Sequence, residues 1–240
     1  MMKAGTAIVH IVSAVSEGSS SDHLLLSEEE RQRAASFRFE KDAIRWSGFR
    51  AELRRILASV IHVAPQDVPI VLTPLGKPVL GAPFDGLHFS LSHCDDLALI
   101  SLCTDGVIGV DVEPAMRAVD LSGCELTFCH PAEITELPVE SRCHRLMEIW
   151  TAKESLLKAI GTGLTHPPET VCMHFQDAWI LAESDLPLPG IESTRTLRLH
   201  HPALGAHIAA LSMPASITRI DIVSNCRQDP PVSIETPWLR

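Results

Sequence analysis

Trp150-Thr151-Ala152-Lys153-Glu154-Ser155-Leu156-Leu157-Lys158-Ala159-Ile160-Gly161 reads as the end of a helix that begins near Arg142. Leu146, Ile149, Trp150, Leu157 and Ile160 recur at helical spacing and would face a core. Gly161 and Gly163 are helix stops. Trp150, Glu154 and Lys158 fall four residues apart, so they share one stripe of the helix. Taken alone, a glutamate four residues ahead of a lysine is a surface ion pair worth roughly 0.3–0.5 kcal/mol. A second stretch, about forty residues earlier, changes that reading.

That stretch is Val107-Ile108-Gly109-Val110-Asp111-Val112-Glu113-Pro114. It follows the apolar run 97–103, with Thr104-Asp105-Gly106 between. Two apolar runs around a glycine-containing turn predict a β-hairpin over 97–113. Residues two apart on a strand share a face, so Asp111 and Glu113 point one way and Val110 and Val112 the other. Neighbouring carboxylates repel unless positive charge lies between them. Hard oxygen donors of this kind suit Mg²⁺, with Mn²⁺ as a substitute, and Glu154 on the following helix is a third ligand candidate. The bland alternative for the Asp-Val-Glu triplet is a solvated strand end.

Together the two stretches resemble the signature pair of the 4′-phosphopantetheinyl transferase superfamily. Gly76-Lys77-Pro78 and His88-Phe89-Ser90-Leu91-Ser92-His93 resemble a third signature, and residues 31–55 its basic N-terminal segment. The likeness covers roughly residues 26–164, and the length fits the larger, surfactin-synthetase-type class, a single chain of two similar halves. The resemblance implies transfer of 4′-phosphopantetheine from coenzyme A to a serine of an acyl or peptidyl carrier protein, with adenosine 3′,5′-bisphosphate as by-product. It implies Mg²⁺ on Asp111, Glu113 and Glu154, charge balance from Lys158, and Glu154 as base, ligand or both. It places the coenzyme A nucleotide against Lys77, Ser92 and His93, with His93 near the 3′-phosphate, and adds Arg33 and Arg45 as phosphate contacts. The carriers implied belong to polyketide, peptide or fatty-acid synthases. The sequence departs from the family where its basic segment usually begins with a lysine: Glu30 stands there, and Trp46 occupies a position often held by a small hydroxyl residue. Two other classes remain open at this point, a Mg²⁺-dependent nucleotide or coenzyme A pyrophosphatase and a non-catalytic carrier-binding module.

Composition narrows the field. The chain has 240 residues, 45% of them hydrophobic, enough for one large core or two modest ones. The net charge of −10 disfavours nucleic acid as a partner. No run approaches a membrane span, and the apolar start, broken by His10, reads as a first strand rather than a signal peptide. Seven scattered cysteines without a Cys-x-x-Cys fit a reducing, cytoplasmic setting better than a disulfide framework or zinc ribbon.

The remaining elements follow in order. Strands are expected over 3–15, 68–72, 87–92, 171–175, 178–182, 196–200, 207–212 and 217–223, with a polar loop at 16–22. Ser27-Glu28-Glu29-Glu30 is a capping-box helix start, and a second helix is expected over 41–62. Arg45, Arg50, Arg54 and Arg55 on that helix are read as a phosphate cradle against the alternative of a solvated face. A further helix is expected over 121–137, with a capped start at Cys129-His130-Pro131-Ala132-Glu133. The expected fold is α+β, with two similar α/β subdomains in a pseudo-two-fold arrangement implied by the resemblance. The N-terminal half is residues 1–105, the C-terminal half 106–223, and 224–240 an extended tail; the protein is expected to act as a monomer.

Overall fold

The computed structural model describes residues 2–13, 22–176, 179–225 and 231–235. Most of the loop expected at 16–22, the start of the strand expected at 178 and parts of the C-terminal tail lie outside these residues.

Among the described residues the strands are β1 (Thr6–Ser13), β2 (Ile70–Leu72), β3 (Pro78–Leu80), β4 (His88–Cys94), β5 (Leu97–Cys103), β6 (Gly109–Pro114), β7 (Val171–Phe175), β8 (Ile180–Ser184), β9 (Thr194–Leu199), β10 (His207–Pro214), β11 (Arg219–Ser224) and β12 (Val232–Glu235). The α-helices are α1 (Glu28–Ala35), α2 (Glu40–Ile61), α3 (Pro131–Thr135) and α4 (Arg142–Ile160). One five-stranded sheet runs β12-β11-β1-β5-β4 and a second runs β6-β10-β9-β8-β7, with β2 and β3 pairing apart.

Side-chain alternation builds four layers. Val9, Ile11 and Leu99 of the first sheet share a core with Val110, Val112, Leu211 and Met213 of the second. The opposite face of the first sheet, with Ala98, Ile100 and Leu102, takes Phe49, Leu53 and Leu57 of α2. The opposite face of the second, with Ala210 and Met173, takes Ala152, Leu156 and Leu157 of α4. The protein is thus a mixed α+β fold, as expected.

Three expectations need correction. β5 and β6 do not form a hairpin: β5 pairs with β1 and β4, while β6 pairs with β10. The turn at 104–106 instead carries the chain from one sheet to the other, held where Gly5 N–H donates to Asp105 Oδ1 at 2.9 Å. All seven residues of β5 are buried because it lies between α2 and the second sheet, so its apolar run carries no sign of its partner. Second, residues 121–137 are not one helix: Gly123 takes φ +87°, and short 3-10 turns precede the capped α3. Third, β11 and β12 return to the first sheet, β11 parallel to β1 and β12 antiparallel to β11. Part of the expected tail, and the end of the expected C-terminal half, thereby complete the sheet of the N-terminal half.

Candidate active site

Helix α4 lies directly on β6 because Gly109 has no side chain. A Cβ there would sit 2.0 Å from the Ser155 carbonyl oxygen and 2.4 Å from Ala159 N. From that contact the two elements run in opposite directions with nearly equal steps. Two strand residues advance about 6.7 Å and four helical residues about 6 Å. Asp111 therefore meets the level of Glu154 and Lys158, and Glu113 that of Trp150, whose side chain hydrogen-bonds it.

Lys158 Nζ donates to Asp111 Oδ1 at 2.5 Å and to Ser92 Oγ at 3.2 Å, and lies 3.8 Å from Glu154 Oε2. Ser92, from β4 of the other sheet, donates to the same Asp111 oxygen at 2.8 Å. Nearby, Val110 N–H donates to Ser90 Oγ at 3.2 Å. The site is therefore built across the seam between the sheets. The Asp111 side chain is 3% exposed and that of Lys158 31%, so the anion is sunk and the cation reaches solvent.

Burial pushes the Glu154 carboxyl above its ordinary value, and Asp111 adds to the rise against the pull of Lys158. Burial and Asp111 push Glu113 up in the same way. Burial opposes the charge on Lys158, but Asp111, Glu154 and Glu113 outweigh it and raise its pKa. Three acids thus share one ammonium, which sits on Asp111.

The nucleotide contacts expected from the resemblance scatter around this centre. His93 stands exposed on β4 with its ring 5.4 Å from that of Phe49. Desolvation, then the positive charges of Lys158 and Arg45, hold it below the usual histidine value. Arg45 reaches Asp96 in the β4–β5 turn at 3.0 Å. Arg33 lies over the Phe37 ring at 5.3 Å, and Phe37 packs on Trp46. Lys77 Nζ donates to the carbonyls of Ala159 at 2.7 Å and Ile108 at 3.3 Å. Two adjoining cavities, of about 570 and 220 Å³, share Leu75, Lys77, Phe89 and Gly161 in their walls, and the smaller reaches Ser90 and Lys158.

Of the arginine cradle read from α2, Arg50, Arg54 and Arg55 are held in structural ion pairs instead. Glu30, buried, pairs with Arg50 Nε at 2.5 Å and Arg54 Nε at 2.6 Å. Arg54 also donates to the carbonyls of Pro65 and Val68, both at 3.1 Å. Arg55 pairs with Asp22 and Glu52. The acid that departs from the family pattern thus holds α1 onto α2, and Arg54 holds the turn before β2. Burial pushes the Glu30 carboxyl up, and the two guanidiniums outweigh it, leaving it below its ordinary value.

Other residues of the motif helix are equally structural. Ser155 donates to the Ala152 carbonyl and joins Ser212 and Thr196 in a buried hydroxyl chain, so it is no nucleophile. Lys153 is fully buried and donates to Glu133, at 2.7 Å, and to the Phe128 and Pro168 carbonyls. Sequence reasoning passed over Lys153, Ser90 and the role of Gly109. The signal for Gly109 was a glycine at the start of a strand next to a required helix.

Asp111 Oδ2 is buried without a hydrogen-bond partner among the described residues, and Glu113 and Glu154 resist ionisation beside it. An oxygen donor set in that condition fits a hard divalent cation. Among the described residues, no three His, Cys, Asp or Glu side chains are drawn close enough to hold one.

Residues 107–202, which span β6 to the end of α4 and beyond, match the family described as the 4′-phosphopantetheinyl transferase superfamily. The 4′-phosphopantetheinyl transferase HetI of Nostoc sp. is 34% identical over 172 residues, covering 66% of this chain and 73% of that protein. A putative 4′-phosphopantetheinyl transferase of Synechocystis sp. is 32% identical over 149 residues, 59% of each chain. The 4′-phosphopantetheinyl transferase gsp of Aneurinibacillus migulanus is 29% identical over 145 residues, again 59% of each. With the paired acids of β6 and the Glu154–Lys158 turn of α4 inside the matched segment, the chain belongs to the 4′-phosphopantetheinyl transferase superfamily.

Proposed function

We propose that this protein moves the 4′-phosphopantetheine group of coenzyme A onto a serine of an acyl or peptidyl carrier protein of the polyketide, peptide or fatty-acid synthase type. The observation that carries the reading is the seam itself, where Lys158, Ser92 and Asp111 meet beside two glutamates pushed up in pKa. Phosphoryl-type transfer needs placed charge more than covalent chemistry, and this seam supplies placed charge.

The carrier serine oxygen forms a bond to the β-phosphorus of the pyrophosphate. The bond from that phosphorus to the bridging oxygen breaks, and its electron pair leaves with adenosine 3′,5′-bisphosphate. The serine proton passes to Glu154, whose pKa burial raises above the ordinary carboxylate value, which strengthens it as a base. Lys158 offers its ammonium to the charge that develops on the leaving oxygen, and its 31% exposure leaves it open to substrate. Asp111, Glu113 and Glu154, which are not gathered as a ligand set in this structure, would have to draw together to hold Mg²⁺, or Mn²⁺, which when bound supplies charge neutralisation of the pyrophosphate. His93, Arg45 and Arg33 are assigned to the phosphates of the nucleotide, and the hydroxyl of Ser92 orients Asp111 and Lys158.

The reading includes a cytoplasmic monomer. Six free cysteines among the described residues support a reducing compartment, and no helix there is long and apolar enough to cross a membrane. The test is to incubate the protein with coenzyme A and Mg²⁺, with and without an apo acyl carrier protein. Release of adenosine 3′,5′-bisphosphate only when the carrier is present supports transfer. Release without it indicates a pyrophosphatase, and carrier binding without turnover a non-catalytic module.

A further inference from the structure

Lys77 sits on the turn between β2 and β3, yet its side chain works on the other half of the molecule. Its stem crosses Gly161, where an added Cβ would meet Lys77 Cδ at 3.2 Å. Its ammonium reaches the carbonyl of Ala159, in the last turn of α4, at 2.7 Å, and that of Ile108, just before β6, at 3.3 Å. Those carbonyls flank the bare contact of Gly109 with Ser155 and Ala159. The last carbonyls of a helix lack intrahelical donors and carry the negative end of its dipole, so a cation is favoured there. Among the described residues no salt bridge joins Lys77, and two of its three N–H groups are spent on backbone. Burial without an anion lowers its pKa to about 8.

We propose that Lys77 is a positioning residue for the transfer: it ties the last turn of α4 to the start of β6 and so sets Lys158 against Asp111. This differs from the nucleotide contact implied by the family resemblance, which would require the ammonium to face a phosphate. The kinetic part of the inference rests on the proposed transfer; the structural part does not.

The first measurement is amide hydrogen exchange. The Gly161 N–H, which donates to Leu157 O at 2.8 Å, should exchange about tenfold faster in Lys77→Met, while amides near Leu146 stay unchanged. Lys77→Arg, which keeps a cationic donor for both carbonyls, should exchange like wild type. In transfer assays with an apo acyl carrier protein, Lys77→Met should lose about tenfold in kcat with KM for coenzyme A within about twofold. The loss should be equal for 3′-dephospho-coenzyme A, and Lys77→Arg should restore most of it. Unchanged exchange at Gly161, or a raised KM for coenzyme A that disappears with the dephospho substrate, overturns the assignment.

Wild type provides a second test should Lys77→Met fail to fold. After correction for intrinsic rates, exchange in the last turn of α4 should rise as pH passes about 8 and the charge is lost, and should stay flat in Lys77→Arg. The other titratable groups felt by Lys77 stay silent in that window. Burial pushes Cys103 up to about 11, and His88 lies below 6.5. A flat wild-type profile contradicts the proposal. A wild type that transfers nothing contradicts the proposed function and leaves the exchange result to decide the role of Lys77.

Discussion

Two sunken clusters of carboxylate and cation, one around Glu30 and one around Asp111, are balanced in opposite senses. Around Glu30, two guanidiniums and a capping N–H serve one carboxylate, which lies below its ordinary pKa. Around Asp111, one ammonium serves three carboxylates, two of which lie above theirs. The first cluster is satisfied and joins α1 to α2. The second leaves Asp111 Oδ2 without a hydrogen-bond partner among the described residues and raises the pKa of the two glutamates beside it. The imbalance between carboxylates and cations thus has opposite signs in the two clusters.

The strongest way to break this contrast is Asp111→Asn. It keeps the shape of the side chain and removes the charge that seats Lys158. Transfer should fall by about 10³-fold with circular dichroism unchanged, a loss of the size expected for a placed electrostatic group. A modest loss would mean that the seam is not the active centre. Next is Glu30→Gln, which strands Arg54, 2% exposed, without its counter-charge. Urea unfolding should show a loss of about 3 kcal/mol, while the folded fraction transfers at the wild-type rate. A catalytic defect without a stability defect would restore a direct role to the segment.

A smaller effect is expected at His93. Its pKa is held below 6.5, so the ring is uncharged at neutral pH and gains a proton as pH falls. The KM for coenzyme A should therefore fall below pH 6.5, and His93→Ala should abolish that fall and raise KM by about tenfold. The dephospho substrate should show neither effect.

The contrast also fixes opposite signs for stability against pH. Glu30, depressed in the fold, contributes stability above the unfolded value of 4.5 that is lost as pH falls through its folded pKa. Glu154, raised in the fold, contributes stability present below 4.5 that is lost as pH rises through its folded pKa. Thermal melts across pH should show the acid-side loss shrink in Glu30→Gln and the loss above pH 4.5 shrink in Glu154→Gln. Equal slopes in both variants would remove the distinction.

Much of the second cluster was legible in the sequence because it is local. The Trp150, Glu154, Lys158 stripe follows from helical period and the Asp111, Glu113 pair from strand period, and both elements formed as read. The capping box at Ser27 and the His130-Pro131 start were equally local. What escaped is what depends on distant partners. Glu30 meets its arginines across 20 and 24 residues, so an arginine-rich helix face looked like an anion site. The run over 97–103 looked like half of a hairpin because a strand buried on both faces carries no mark of its neighbour. Lys77 and Gly161 meet across the two halves, and nothing near either residue announces it. The resemblance named the residues of the seam; the contacts gave Lys77, Arg50, Arg54 and Arg55 structural partners instead of phosphates.

On the proposed function, the Asp111 seam drives group transfer to a carrier. The most direct measurement is the intact mass of an apo acyl carrier protein after incubation with this protein, coenzyme A and Mg²⁺, beside the same reaction with Asp111→Asn. The expected result is a carrier heavier by one phosphopantetheine group, formed with one adenosine 3′,5′-bisphosphate per carrier, and an almost unmodified carrier with the variant. An unmodified carrier with wild type, or equal modification by wild type and variant, would contradict it.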